Sequence, residues 1–179
     1  FSDSTMSTGF VNPKNILNEL DIKKGSTVAD FGCGSGYFPI SLAKAVGDGG
    51  KVFAIDVLPS ALELVEGRAR NDNLRNIEIR RANLEVAGSS GLEDSSVDMV
   101  LLVNILHQSY KKSDIMKEAA RVLKRGGRLV IIEYHLESGG VGPKQELRLS
   151  NVLARRLAES EHLKLIKEFE AGSYHYGLL

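Results

Sequence analysis

The chain has 179 residues, 42% of them hydrophobic and 26% charged, with 23 Lys and Arg balancing 23 Asp and Glu. That is enough chain to bury a full core, and the charge balance argues against a surface selected for nucleic acid or an anionic membrane, either of which favours a basic excess. The single cysteine, Cys33, excludes an internal disulfide and makes a cytoplasmic setting the expectation; no apolar run approaches the ~18 residues needed to span a bilayer, and no signal-peptide pattern stands at the N-terminus.

Residues 1–11 are rich in Ser, Thr, Asp and Gly and read as a flexible N-terminal arm ahead of a single domain over residues 12–179. Asn12 is placed to cap a short helix that Pro13 opens and that runs to about Leu20, with Ile16, Leu17 and Leu20 as its apolar stripe. Ser26–Phe31 reads as the first strand and runs into Gly32-Cys33-Gly34-Ser35-Gly36, with glycine at every second position. The chain must turn sharply there, and a ligand can lie against the bare main chain. A helix over Tyr37–Val46 follows and stops at Gly47; the free N–H groups at its start would point at that ligand.

Lys51–Asp56 reads as the second strand, apolar almost throughout, as expected when both faces are covered. Pro59 starts a helix whose buried face carries Leu62, Val65 and Ala69, and which Asn71 to Asn73 end. Ile77–Arg81 is the third strand. Residues 82–96 form the longest irregular connection, with Gly88-Ser89-Ser90-Gly91 as its most flexible part. Val97–Val103 is the most hydrophobic strand and belongs at the centre of a sheet. Ser113 reads as the cap of a helix with Ile115, Ala119, Val122 and Leu123 inward, ended by Lys124-Arg125-Gly126-Gly127. Arg128–Tyr134 is the fifth strand. Pro143 opens a helix carrying Leu149, Val152, Leu153 and Leu157 toward the core, and His162–Glu170 and Tyr174–Leu179 read as two strands in a hairpin through Ala171-Gly172-Ser173.

This alternation predicts an α/β, Rossmann-like doubly wound fold: a mostly parallel seven-stranded sheet, the last strand antiparallel, with helices on both faces. Such sheets bind ligands at the carboxyl ends of their strands, near the point where strand order reverses. The strand ends carry Asp30 and the glycines, then Asp56, then Asn83, then Asn104 and His107, and finally Glu133, Tyr134 and His135. An acid about 20 residues beyond a glycine turn is the arrangement that grips ribose hydroxyls, which fits a dinucleotide or S-adenosylmethionine. A dinucleotide turn, Gly-x-Gly-x-x-Gly, would need glycine where Tyr37 stands; here the third glycine comes one place earlier, at Gly36.

The run Asp30-x-Gly32-x-Gly34-x-Gly36 resembles motif I of the class I S-adenosylmethionine-dependent methyltransferases. The resemblance continues through Val52-Phe53-Ala54-Ile55-Asp56-Val57 with Pro59-Ser60-Ala61-Leu62, through Leu92 to Val100 with Leu106-His107, and through Ala119 to Leu129, the family's second-, fourth- and fifth-strand blocks. By pattern the chain is similar to the small-molecule type that includes the ubiquinone/menaquinone-biosynthesis enzymes, over residues 12–179.

The resemblance implies S-adenosyl-L-methionine as cofactor. It places Asp30, Gly32, Cys33, Gly34 and Gly36 around the methionine end, with Asp30 near the ammonium, Asp56 on the ribose hydroxyls and Val57 on the adenine. Asn83, with Leu84 beside it, holds the place where the family usually has an acid for the adenine amino group, and Asn104 completes the cofactor set. His107, Glu133 and His135 are the catalytic candidates. Methyl transfer from a sulfonium needs alignment first, and a general base only where the acceptor must lose a proton. No metal is expected. The expected partner is a small-molecule methyl acceptor, with no nucleic acid and no membrane, and an exposed terminal strand offers a route to a homodimer.

The sequence contains no Asn-Pro-Pro-Tyr or Asp-Pro-Pro-Tyr, which tells against amino methylation of DNA or glutamine, and Cys33 inside the glycine turn does not suit a two-cysteine RNA mechanism. The alternatives are a non-catalytic domain with the same fold, an RNA or protein methyltransferase, and a nicotinamide-dependent oxidoreductase. Several residues also have plainer readings: Asp56 as a helix-capping acid, Asn83 as a loop residue, His107 as a partly buried structural histidine.

Overall fold

A computed structural model of the protein describes residues 11–179. The expected arm lies outside the described residues, apart from Val11. The strands are β1 (Thr27–Phe31), β2 (Lys51–Asp56), β3 (Ile77–Arg81), β4 (Val97–Val103), β5 (Leu123–Tyr134), β6 (Glu168–Glu170) and β7 (His175–Leu178). The helices are α1 (Pro13–Leu20), α2 (Tyr37–Val46), α3 (Pro59–Asn71), α4 (Lys112–Val122) and α5 (Asn151–Ser160). One sheet holds all the strands in the order β3-β2-β1-β4-β5-β7-β6. β1 to β5 pair in parallel, while β7 runs antiparallel to both β5 and β6.

Neighbouring residues on each strand go to opposite faces, as the period of two requires. Val28, Val52, Met99, Leu101 and Ile132 pack under α1 and α2, against Ile16, Leu20, Phe38 and Leu42. Ala29, Phe31, Ile55, Val100, Leu102 and Ile131 pack on the other face against Ile115, Met116 and Ala119 of α4 and Ala154 of α5. The chain winds outward from β1 through β2 to β3, then returns to β4 on the other side of β1. The reversal therefore falls at β1 and β4, and the glycine turn leaves β1 at that point. Among the described residues no helix is long and apolar enough to cross a membrane.

Several expected boundaries move for identifiable reasons. α4 begins two residues early: Ser109 Oγ accepts from Lys111 N at 2.9 Å, and Lys111 O accepts from Asp114 N and Ile115 N, so Lys111 rather than Ser113 is the cap. Lys124 to Gly127 do not end α4. The helix stops at Val122 and these residues bulge from the start of β5, whose register against β4 shifts between Val97 and Met99. Pro143 opens no helix. The Arg148 guanidinium binds the carbonyls of His135, Leu136, Gly139, Val141 and Pro143, which holds residues 135–143 as a folded loop. α5 starts only after Ser150, whose Oγ accepts from Leu153 N. Within α5 it is Ala154, with Leu157 and Ala158, that meets the core, and Val152 and Leu153 lie at the surface. The strand expected from His162 shrinks to Glu168–Glu170, although the hairpin to β7 forms.

The segment Gly88 to Gly91 is pinned rather than loose. Glu118 of α4 accepts from Gly88 N at 2.8 Å and from the Ser90 Oγ at 2.5 Å. Desolvation would raise the Glu118 pKa, but hydrogen bonds from Arg121, Ser90 and Gly88 outweigh it and hold the carboxyl at about 2. Ser89 Oγ in turn donates to Asn83 O at 2.5 Å, tying this segment to the start of the connection after β3.

Candidate functional site

A cavity of about 830 Å³ runs along the carboxyl edge of the sheet, lined from the end of β3 to the start of β7. That is toward the upper end of the roughly 300–1,000 Å³ usual for small-molecule sites. Of the expected cofactor residues, Asp30, Gly32, Cys33, Gly34, Asp56, Val57, Asn83, Leu84 and Asn104 line it.

The turn after β1 is a backbone construction. Gly32 N and Cys33 N both donate to Ile55 O, at 2.8 and 3.0 Å. Gly32 sits at φ +79°, and a Cβ there would come within 2.7 Å of Ile105 Cδ1. Asp56 fastens the turn to the end of β2: its Oδ2 accepts from Gly34 N and its Oδ1 from Leu58 N, each at 3.0 Å. Each carboxylate oxygen keeps a further lone pair. Asp56 thus serves as a local cap and retains acceptor capacity toward the cavity. Val57 and Leu58 beside it are 49% and 58% exposed, an apolar rim that the described residues leave half-open.

Gly36 does something else. It does not line the cavity; at φ +85° it packs on α3, where a Cβ would stand 3.0 Å from Val65 Cγ2 and 3.2 Å from Val65 Cα. The third glycine thus lets α2 lie against α3.

Asp30 is 2% exposed, and no described residue donates a hydrogen bond to its carboxyl. Burial, and secondly the charge of Asp56, push its pKa up to about 7. The same burial, with both acids, pushes the Cys33 thiol up, so it stays protonated. A buried carboxyl in this state gains most from a cation. Asn83 Oδ1 accepts from Glu85 N at 3.1 Å, an ordinary Asx turn at the cavity wall. Asn104 ends β4 at φ +55°, and its Oδ1 is buried without a hydrogen-bond partner. An unpaired carboxyl, a carboxylate with free lone pairs, an orphaned amide oxygen and a bare glycine turn fit a ligand with an ammonium and a diol. These residues therefore accommodate S-adenosylmethionine.

The three catalytic candidates do not reach the cavity. Glu133 is fully buried; it accepts from Leu106 N at 2.7 Å and His107 N at 3.2 Å, and pairs with His107 Nδ1 at 2.7 Å. It holds the turn after β4 in place, and His107 is its partner. His135 lies on the outside, with Nε2 2.9 Å from the exposed Glu170 carboxylate. Tyr134, between Glu133 and His135, does line the cavity, and so does His175. Because β7 is antiparallel, its first residue arrives at the carboxyl edge of β5, where Tyr134 and His175 are direct cross-strand partners with ring centroids 4.0 Å apart. A histidine at the start of a strand read as antiparallel was the available signal for His175. Among the described residues no cluster of three or more His, Cys, Asp or Glu is placed to hold a metal ion.

The chain matches the methyltransferase-domain family over residues 22–170. Among curated proteins it is 32% identical to the demethylmenaquinone methyltransferase of Staphylococcus saprophyticus over 67% of this chain and 49% of that protein. It is 37% identical to an uncharacterized 37.1 kDa protein of transposon TN4556 from Streptomyces fradiae, over 69% of this chain and 34% of the other. It therefore spans half or less of the length of these relatives. Among solved structures, a SAM-dependent methyltransferase from Aquifex aeolicus superposes with a TM-score of 0.85 at 28% identity, covering 94% of this chain and 88% of the other. An arsenic(III) S-adenosylmethionine methyltransferase from Chlamydomonas reinhardtii follows with a TM-score of 0.70 at 26% identity, over 87% and 62%. The family match, the strand order and the cavity at its switch point agree: the chain belongs to the class I S-adenosylmethionine-dependent methyltransferases.

Proposed function

We propose that this chain binds S-adenosyl-L-methionine in the β1–β3 half of the cavity and transfers its methyl group to a small molecule held in the β4–β7 half. The carrying observation is the continuity of one cavity from Asp56 and Asn83 to Tyr134 and His175. Bound there, the cofactor supplies a methyl group on a sulfonium, already activated for in-line displacement. The residues supply position: Asp56 takes the ribose hydroxyls, Asp30 the ammonium, Val57 and Leu58 the adenine faces. Among the described residues, the acids near the acceptor half are already engaged: Glu133 with Leu106 and His107, and Glu85 as acceptor from Ser109 Oγ at 2.5 Å. Alignment then carries the reaction.

The even charge balance supports a small molecule over RNA. So does the demethylmenaquinone named for the S. saprophyticus relative. The single cysteine is consistent with work in the cytoplasm. The test is transfer of a radiolabelled methyl group into a cell extract of the source organism, separated into small-molecule, RNA and protein fractions. Label in the small-molecule fraction is expected. Label confined to RNA or protein would overturn the acceptor class, and no binding of S-adenosylhomocysteine at millimolar concentration in calorimetry would overturn the whole reading.

A further inference from the structure

The acceptor half of the cavity contains a polar side chain that the fold places with care and leaves unused. His175 is 1% exposed, and neither Nδ1 nor Nε2 has a hydrogen-bond partner among the described residues. Buried polar groups are nearly always paired, and an unpaired one costs about 1–3 kcal/mol. The ring is not loosely held: strand pairing sets it opposite Tyr134, and the two rings are in contact. Tyr134 is fixed from behind by the loop that Arg148 gathers, where even a Cβ on Gly142 would come within 2.3 Å of the Tyr134 ring. The other orphaned atom, Asn104 Oδ1, stands at the end of β4 beside the glycine turn and so borders the cofactor half. His175 stands two strands further along the edge.

Among the described residues no Lys or Arg lines the cavity, and the acids that line it lie at the cofactor half or, for Glu85, are hydrogen-bonded already. Burial, with His135 and His107 nearby, pushes the His175 pKa down to about 4, so at neutral pH the ring offers one N–H donor and one lone pair without charge. The Tyr134 ring stacks on it, and Val11 and Val103 line the same cavity. A cation or an anion entering here would lose its hydration for no counter-charge. A hydroxyl on an uncharged frame would meet the unpaired nitrogen and lose little.

We propose that His175 is the acceptor-positioning residue of this cavity, and that it holds an uncharged molecule through a hydroxyl group hydrogen-bonded to its imidazole. This rests on the methyltransferase reading of the same cavity, and the experiment separates the two. The protein is labelled with ¹⁵N-histidine and titrated with 2-naphthol, an uncharged hydroxyl probe, with and without saturating S-adenosylhomocysteine. Benzoate and tyramine serve as the anionic and cationic comparisons. The expected result is a saturable shift of the His175 ring nitrogens with 2-naphthol and at least tenfold weaker binding in His175→Phe. His175→Gln should restore part of it, with S-adenosylhomocysteine affinity unchanged in both variants. An unmoved His175 resonance, equal 2-naphthol binding in His175→Phe, or tighter binding of either charged probe would overturn the proposal. If His175→Phe fails to fold, the wild-type shift and the Gln variant decide alone. Failure of S-adenosylhomocysteine to bind while 2-naphthol still moves His175 would sink the methyltransferase reading and leave the subsite standing.

Discussion

At one end of the cavity Asp30, Gly32, Gly34 and Asp56 come from a single strand–turn–helix–strand unit, and main-chain hydrogen bonds to Ile55 and the Asp56 carboxylate set their positions. At the other end Tyr134 and His175 come from two strands with α5 lying between them in the chain; their rings are stacked, and both His175 ring nitrogens are unpaired among the described residues. The first end has its backbone fixed before any ligand arrives, with the Asp30 carboxyl left without a donor among the described residues. The second is shaped but unsatisfied, which is what a site looks like when recognition is deferred to the ligand. One set of strand ends thus presents two surfaces: a grip built largely on backbone, and a wall made of side chains.

Four measurements would break or sharpen that contrast. The largest effect is expected at Glu133, which belongs to neither end but supports the second. Glu133→Ala leaves Leu106 N, His107 N and the His107 ring without their acceptor, and should cost about 2–5 kcal/mol in urea denaturation. A loss of methyl transfer with stability intact would return Glu133 to the catalytic machinery. Asp56→Ala should weaken S-adenosylhomocysteine by about 1.5–3 kcal/mol in calorimetry, since hydrogen bonds to a charged group are worth that much. An unchanged dissociation constant would reduce Asp56 to its local cap on Gly34 and Leu58.

Gly36→Ala should destabilise the fold by about 1–3 kcal/mol, because a side chain there meets both the left-handed backbone and Val65. Cofactor affinity of the folded protein should barely change, since Gly36 does not line the cavity. Affinity lost in step with stability would make it a binding residue after all. The smallest effect is a pH dependence. Asp30 with a pKa near 7 must be ionised to hold an ammonium, so S-adenosylmethionine should bind more tightly as pH rises through 7, by up to about tenfold per unit below it. The free protein should change in the opposite sense. Its folded-state pKa lies above the unfolded value of 3.8, so the folded form binds the extra proton and stability falls as pH rises toward 7. Asp30→Asn should flatten both curves.

How much of this was legible follows the same division. Tyr37–Val46, Lys51–Asp56 and Ile77–Arg81 fall where glycine, proline and the apolar pattern put them, and the glycine turn with Asp56 announced one end of the cavity. Val152 misled because an apolar residue in a helix does not by itself say which face meets the core: in α5 that face carries Ala154, Leu157 and Ala158. Glu133 and His135 misled because both flank a strand end; only their partners, Leu106 and His107 for one and Glu170 for the other, show that neither faces the cavity.

By itself the sequence determined the doubly wound order, the glycine turn and the acid fastened to it, because these depend on backbone angles and residue spacing within one local unit. Only the tertiary structure decided what Gly36 packs against, which of three consecutive strand-end residues lines the cavity, and that His175 joins them. Those outcomes depend on an antiparallel strand returning to the same edge and on partners far away in the chain, and no local spacing encodes either.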